Sequence, residues 1–396
     1  EAQSHGPKTE QLPGPHRGGT GHAGKGQPVY PTPERARRHV PMIGAPGSCK
    51  SNFLLQLLLE DVKQGGGIAL LDPHGDLVDD LLARLPEHRL EDVILFDPAD
   101  TEYPVGFNVL AAHSDLEKTL LASDLVAIFR RLSTSWGDQM HAVFANAIQA
   151  FLESERGGTI ADLRKFLIDR EFREEFLTTI RDEEIVYYWR KEFPLLHGRP
   201  QGPILTRLDS FLRPKLVRQM VVQRENRIDF RSVMDDGKIF LAKLAQGAIG
   251  EENAALLGSF LIARFHQTAM SRQDVRATER RPFLIAADEC QHFVTPSMAS
   301  ILSGARKYSV GLVLAHQDLT QLQRKDGEVF ASLTANAGTR IVFRVGDADA
   351  RTLAEGFAKF TSEDLRAHTP GEAICRLDRA DQAFNPTRPL TQPIER

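Results

Sequence analysis

Three short stretches of this 396-residue chain carry the residue types that phosphate chemistry needs. The first is Gly44-Ala45-Pro46-Gly47-Ser48-Cys49-Lys50-Ser51-Asn52, a glycine loop that runs into a Leu-rich helical stretch. A flexible turn entering a helix offers backbone N–H groups and the positive end of the helix dipole to a phosphate chain. Lys50 is then placed to pair with the β- and γ-phosphates of ATP, and the Ser51 hydroxyl to bind Mg2+. The pattern G-x-x-x-x-G-K-[ST] asks for glycine immediately before the lysine, and Cys49 stands there instead. A plain glycine-proline turn ahead of an ordinary helix is the competing reading.

The second stretch is Phe283-Leu284-Ile285-Ala286-Ala287, a buried-type strand that ends in Asp288-Glu289. An acidic pair at the tip of an apolar parallel strand lies at the carboxyl edge of a sheet, where open α/β folds bind ligands. In that setting, which resembles a Walker B motif, Asp288 holds Mg2+ and Glu289 orients or deprotonates the attacking water. The third stretch is one strand-helix unit later, where Val310 to Ala315 ends in His316-Gln317. Gln317 is the candidate γ-phosphate sensor; capping of the helix that follows is its alternative. Between the two, Ser303-Gly304-Ala305-Arg306-Lys307-Tyr308 closes a helix. Arg306 can serve there as an arginine finger given to a neighbouring subunit, or as a surface cation favoured by the helix dipole.

The elements that must position these residues alternate. Strands are expected at 40–43, 67–71, 92–96, 238–244, 282–287, 311–315, 340–345 and 372–376, with helices between them such as 252–271 and 347–359. Strands alternating with helices imply a mainly parallel sheet. From about 114 to 235 the period becomes helical, broken by Gly and Pro turns, which predicts an all-α insertion. The fold class is therefore α/β, a RecA-like P-loop NTPase core in two parts, 39–113 and 236–384, interrupted by helices at 114–235. Residues 1–38, rich in Gly, Pro, His and Gln, read as a disordered leader, and 385–396 as an extended tail.

Composition narrows the classes. Lys plus Arg number 49 against 53 Asp plus Glu, so any DNA contact must come from local patches. Arg130-Arg131, Arg213 with Lys215 and Arg218, and Arg280-Arg281 are candidates, each with a solvated-surface alternative. The three cysteines have neither zinc nor disulfide spacing, which fits a reducing, cytoplasmic compartment. His74 and Asp76 beside Asp72 invite a metal reading, but a turn after the second strand is preferred because no further ligand is suitably spaced. No run of eighteen apolar residues and no signal-peptide layout is present in the sequence. The chain starts at Glu1 rather than methionine, which leaves a preceding anchor or domain open.

The glycine loop at 44–51, Leu71-Asp72-Pro73-His74-Gly75-Asp76, Phe107-Asn108, Gly250-Glu251-Glu252-Asn253, the Asp288-Glu289 strand and Ala305-Arg306-Lys307 leading to Gln317 together resemble the FtsK/HerA superfamily. Within it, the segment from Pro282 to about Leu322 is similar to the ATPase region of TraD/TraG coupling proteins of type IV secretion. The resemblance implies that ATP with Mg2+ drives DNA translocation, that a homohexamer encloses DNA, and that the insertion is the family's all-α domain. It also implies a relaxase and a membrane secretion complex as partners, the chain working in the cytoplasm at the membrane's inner face. It strengthens Arg306 as trans finger and Gln317 as sensor. Two rivals stay open: a nucleotide-binding coupling or scaffold subunit with weak turnover because of Cys49, and a P-loop enzyme acting on small molecules.

Overall fold

The structure is a computed structural model that describes residues 39–131, 136–325, 327–336, 339–357, 360–369, 371–377 and 380–384. The expected leader at 1–38 and tail at 385–396 lie outside the described residues.

The chain enters the fold through β1 (Val40–Ile43), the glycine loop, and α1 (Lys50–Lys63), whose Leu54, Leu55, Leu58, Leu59 and Val62 form one buried stripe at helical spacing. It continues through β2 (Gly67–Asp72), α2 (Asp76–Leu82) and β3 (Val93–Phe96). β2 is buried at every position, as a continuous apolar run in a doubly covered parallel sheet must be.

The insertion follows as α3 (Asp115–Arg131), α4 (Asp138–Glu153), α5 (Ile160–Ile168), α6 (Arg170–Leu177), α7 (Glu183–Tyr187), α8 (Gln201–Leu212), α9 (Lys215–Val221) and α10 (Phe230–Asp235). Its aromatic centre gathers Phe151, Phe166, Phe176 and Trp189, with the Phe151 and Phe176 rings stacked at 4.3 Å. Local sequence sets the helix starts. Thr159 and Asp162 form a reciprocal capping box for α5, and Asp169 caps α6. The segment's two ends are tied together. The Asn108 N–H donates to Asn226 Oδ1 at 2.6 Å, and Asn108 Nδ2 donates to the carbonyl oxygens of Gly158 and Arg224.

The chain then returns to the core through β4 (Ile239–Lys243), α11 (Gln246–Ile249), the buried α12 (Glu251–Ser271), β5 (Phe283–Ala287), α13 (Pro296–Gly304), β6 (Val310–His316), α14 (Leu319–Lys325), α15 (Gly327–Asn336), β7 (Thr339–Phe343), α16 (Asp347–Ala354), α17 (Ser362–Arg366), β8 (Ala373–Leu377) and β9 (Ala380–Phe384). α16 stops at Ala354, five residues short of the expected end, because a Glu355-Gly356 turn follows. The sheet order is β3-β4-β2-β5-β6-β1-β7-β8-β9, parallel from β3 to β7, with the β8 and β9 pairings antiparallel. β9 was not anticipated, since Ala-Asp-Gln-Ala-Phe carries little strand propensity. α12 is packed closely: a Cβ on Gly258 would stand 2.3 Å from the Phe293 ring.

Candidate nucleotide site

β1, β6 and β5 are successive neighbours and parallel, so their carboxyl ends open on one edge of the sheet. That edge brings together the loop after β1, Gln317 after β6, and Asp288-Glu289 after β5. The loop is pinned from both sides: the Gly44 N–H donates to the His316 carbonyl at 3.2 Å and the Ala45 N–H to Arg344 at 2.8 Å. Gly44 is required sterically, since a Cβ there would lie 2.6 Å from Phe343 Cβ and 2.7 Å from Ser48 Oγ. At Gly47, φ is +72° and a Cβ would meet nothing within 4 Å, so the loop leaves open space beside it. Cys49 also has φ of 72° and sits as N-cap of α1 without a side-chain hydrogen bond. A non-glycine residue in this region costs about 1–2 kcal/mol, so the departure from glycine is a strained one.

Lys50 is only 5 % exposed, and its Nζ donates to the Gly44 carbonyl oxygen at 2.6 Å and to that of Ala45 at 3.4 Å. Burial lowers its pKa, while the charges of Glu289 and Asp288 act against that. Ser51 and Asn52 are exposed on the first turn of α1. Ser51 Oγ donates to Asp288 Oδ2 at 3.2 Å, which links the two phosphate motifs directly. Burial pushes the Asp288 carboxyl up to about 6, with the charges of Glu289 and Asp72 adding to the effect. The other Asp288 oxygen accepts the Glu289 N–H at 3.0 Å. Glu289 has φ of 46°, and both of its carboxylate oxygens are occupied: Gln317 Nε2 donates to Oε1, and Gln291 Nε2 donates to Oε2 at 2.6 Å. His316 is fully buried beneath the site, and burial with the nearby Lys50 charge takes it down to about 4, so it is neutral at pH 7.

These residues fit a nucleoside triphosphate with a divalent cation. Among the described residues, a desolvated ammonium that donates only to its own loop's carbonyls, a buried Ser48 hydroxyl with no hydrogen-bond partner, and the N–H groups of Lys50, Ser51 and Asn52 at the start of α1 all favour an anion. Ser51 and Asp288 would supply the hard oxygen donors that Mg2+ prefers.

Two family models match the sequence. Residues 28–186 match the type IV secretion-system coupling protein DNA-binding domain, and residues 282–372 match the TraM recognition site of TraD and TraG. Both models describe coupling proteins of type IV secretion, so the chain carries two domains of the TraD/TraG-type coupling proteins. Its fold is similar to that of the bacterial conjugative coupling protein TrwBdeltaN70, with a TM-score of 0.65 at 15% identity over 88% of this chain and 86% of that one. TrwB in complex with ADP and Mg2+ gives 0.64 at 15% identity over 88% and 85%. VirB4 of Thermoanaerobacter pseudethanolicus gives 0.60 at 13% identity over 88% of each chain. No curated protein sequence matches.

The other segments that carried the coupling-protein resemblance have structural work to do. Asp72 is buried and accepts the N–H groups of His74, Leu77 and Val78, so Asp72-Pro73-His74-Gly75-Asp76 is the turn that starts α2. In Gly250-Glu251-Glu252-Asn253, Glu252 pairs with Arg207 of α8 at 3.1 Å, and Glu251 approaches His292 Nδ1 to 3.5 Å. This short stretch therefore touches both the insertion and the turn after Glu289. Arg280 and Arg281 are committed to backbone carbonyls, of Arg272 and Lys307 and of Asp236 and Gly65. They brace loops, whereas Arg213, Lys215 and Arg218 remain exposed. Arg306 lies in the 3₁₀ turn Ala305–Tyr308, and its side chain falls outside the described residues. Gln291 was missed at the sequence level, because an amide two residues beyond an acid has no periodic or motif signal.

Proposed function

We propose that this chain is an ATP-hydrolysing DNA translocase of the conjugative coupling type, working as a ring of six subunits. The observation that carries the reading is the convergence of Lys50, Ser51, Asp288 and Glu289 on one sheet edge, with Gln317 already bonded to Glu289. A retained Glu289 beside a complete phosphate cradle has little purpose without hydrolysis.

In this reading Lys50 leaves the Gly44 carbonyl for the β- and γ-phosphates. Ser51 and Asp288 hold the cation, and Glu289 orients the attacking water and takes its proton. Bound Mg2+ supplies neutralisation of the phosphate charge. Gln317 exchanges its bond to Glu289 for the γ-phosphate, and Arg306 enters a neighbouring subunit's site. The core is formed by 39–113 with 236–384, and 114–235 is the all-α unit carried on it. The exposed Arg213, Lys215 and Arg218 offer sequence-independent phosphate contacts. Partners are DNA, a relaxase and a membrane secretion complex, with the chain on the cytoplasmic side. Among the described residues, no helix is long and apolar enough to cross a membrane.

A second reading follows from the left-handed Cys49: a nucleotide-binding coupling or scaffold subunit with weak turnover. Steady-state ATP hydrolysis with and without DNA, for the wild-type chain beside Cys49→Gly and Glu289→Gln, separates the two. DNA-stimulated turnover that is lost in Glu289→Gln supports the motor. Turnover only after Cys49→Gly supports the impaired subunit, and none in either rejects hydrolysis.

A further inference from the structure

The two amides on Glu289 come from different places. Gln317 follows β6, the strand next to Glu289's own, and in the proposed cycle it is drawn away to the γ-phosphate. Gln291 sits two residues beyond Glu289, in the 3₁₀ turn Cys290–His292, so its bond to Oε2 does not depend on what the neighbouring strand does. Gln291 is 7 % exposed, and its Oε1 has no hydrogen-bond partner among the described residues. An unsatisfied buried acceptor is a standing cost that an apolar side chain of the same size would avoid. What the amide offers in return is the donor to Glu289. The glutamate needs one, because its backbone is fixed by the left-handed φ of 46° while its side-chain rotamers are set only by contacts.

We propose that Gln291 is a positioning residue for hydrolysis. It grips Glu289 through Oε2, so that the carboxylate keeps its aim at the attacking water after Gln317 lets go of Oε1. The inference rests on Glu289 being the water-orienting group of the function proposed above.

The experiment compares kcat and KM for ATP in the presence of DNA, using the full chain as wild type, Gln291→Met, Glu289→Gln and the double variant, with binding of a fluorescent ATP analogue measured in parallel. Methionine keeps the volume and removes the donor. The expected result is a kcat in Gln291→Met lower by roughly ten- to a hundredfold, with KM and analogue affinity changed by less than about twofold. Gln291→Met should add nothing to the loss already caused by Glu289→Gln, as residues acting through one another do. A Gln291→Met kcat within about twofold of wild type, while Glu289→Gln is inactive, overturns the positioning role alone. A wild-type chain without turnover overturns the proposed function and the positioning role with it. Should Gln291→Met not fold, Gln291→Glu, which keeps the shape and sets a like charge against Glu289, must show a loss of kcat at least as large.

Discussion

Lys50 Nζ and the Gly44 carbonyl oxygen stand 2.6 Å apart, so the ammonium that would meet phosphate is folded back on the loop that carries it. The loop satisfies its own cation. An anion must compete with that contact, and the thiol of the preceding Cys49 bears directly on how well it does so.

Cys49→Gly therefore has a defined expected effect. Replacing a side chain held at φ of 72° relieves about 1–2 kcal/mol of strain, of which glycine's greater freedom in the unfolded chain returns about 0.5–1 kcal/mol. Stability should rise slightly, and because the strain is present with or without nucleotide, ATP affinity should rise, by up to about tenfold, only through removal of a thiol that crowds the bound phosphates. Titration with a fluorescent ATP analogue measures it, and an unchanged or weaker affinity would show that the thiol is not the impediment.

Glu289→Gln should retain nucleotide binding and lose turnover by about a hundredfold or more. The amide keeps the side chain's length but cannot take a proton. Single-turnover hydrolysis beside equilibrium binding separates the two effects. Hydrolysis at the wild-type rate would remove Glu289 from the chemistry.

Arg306→Ala tests assembly. A finger given in trans is worth roughly 10³–10⁵ in rate, so the variant should bind ATP normally and fail to hydrolyse it. Mixing it with Lys50→Ala, itself unable to use its own nucleotide, should restore activity at interfaces where an intact Arg306 faces an intact Lys50. Wild-type turnover by Arg306→Ala alone would place that arginine on an ordinary surface.

Asp124 links stability to pH. It is 6 % exposed on α3, accepts from Ser297 of α13 and from Gln267 of α12, and faces the buried Arg264 of α12. Burial pushes its carboxyl up to about 6, against which those hydrogen bonds and Arg264 act. The folded protein then holds this proton more tightly than the unfolded chain does. Its favourable contribution is complete below the unfolded value near 4 and is lost as pH rises through about 6. Asp124→Asn should flatten the fall in stability between those limits by roughly 2–3 kcal/mol. Denaturant midpoints of the two proteins across pH 4 to 7 read it, and parallel curves would refute it.

What the sequence disclosed was mostly what burial writes as composition. β2, β5 and β6 are mostly apolar runs because both faces of the sheet are covered, and the candidate site residues Asp288, Glu289 and Gln317 stand where the runs of β5 and β6 stop. β9 escaped because its half-polar sequence is made a strand by pairing with β8 rather than by propensity. The bonds from Gln291 and Gln317 to Glu289 were not legible, since they depend on rotamers and on a turn at positive φ. Strand order was not legible either. Nothing in Ile239–Lys243 announces that it inserts between β3 and β2.

That order decides how the molecule can be built. None of β1, β2 and β3 is a neighbour of another: β1 lies between β6 and β7, β2 between β4 and β5, and β3 against β4. During synthesis the first half of the chain holds three strands that cannot pair with one another, and the helices of the insertion are free to settle before any sheet exists. Ladder formation waits for Ile239 and beyond, so each parallel pairing of these strands closes a loop of well over a hundred residues, which makes folding slow and leaves apolar strand edges open in the interval. A piece ending before Ile239 would carry the whole phosphate loop with no sheet to hold it.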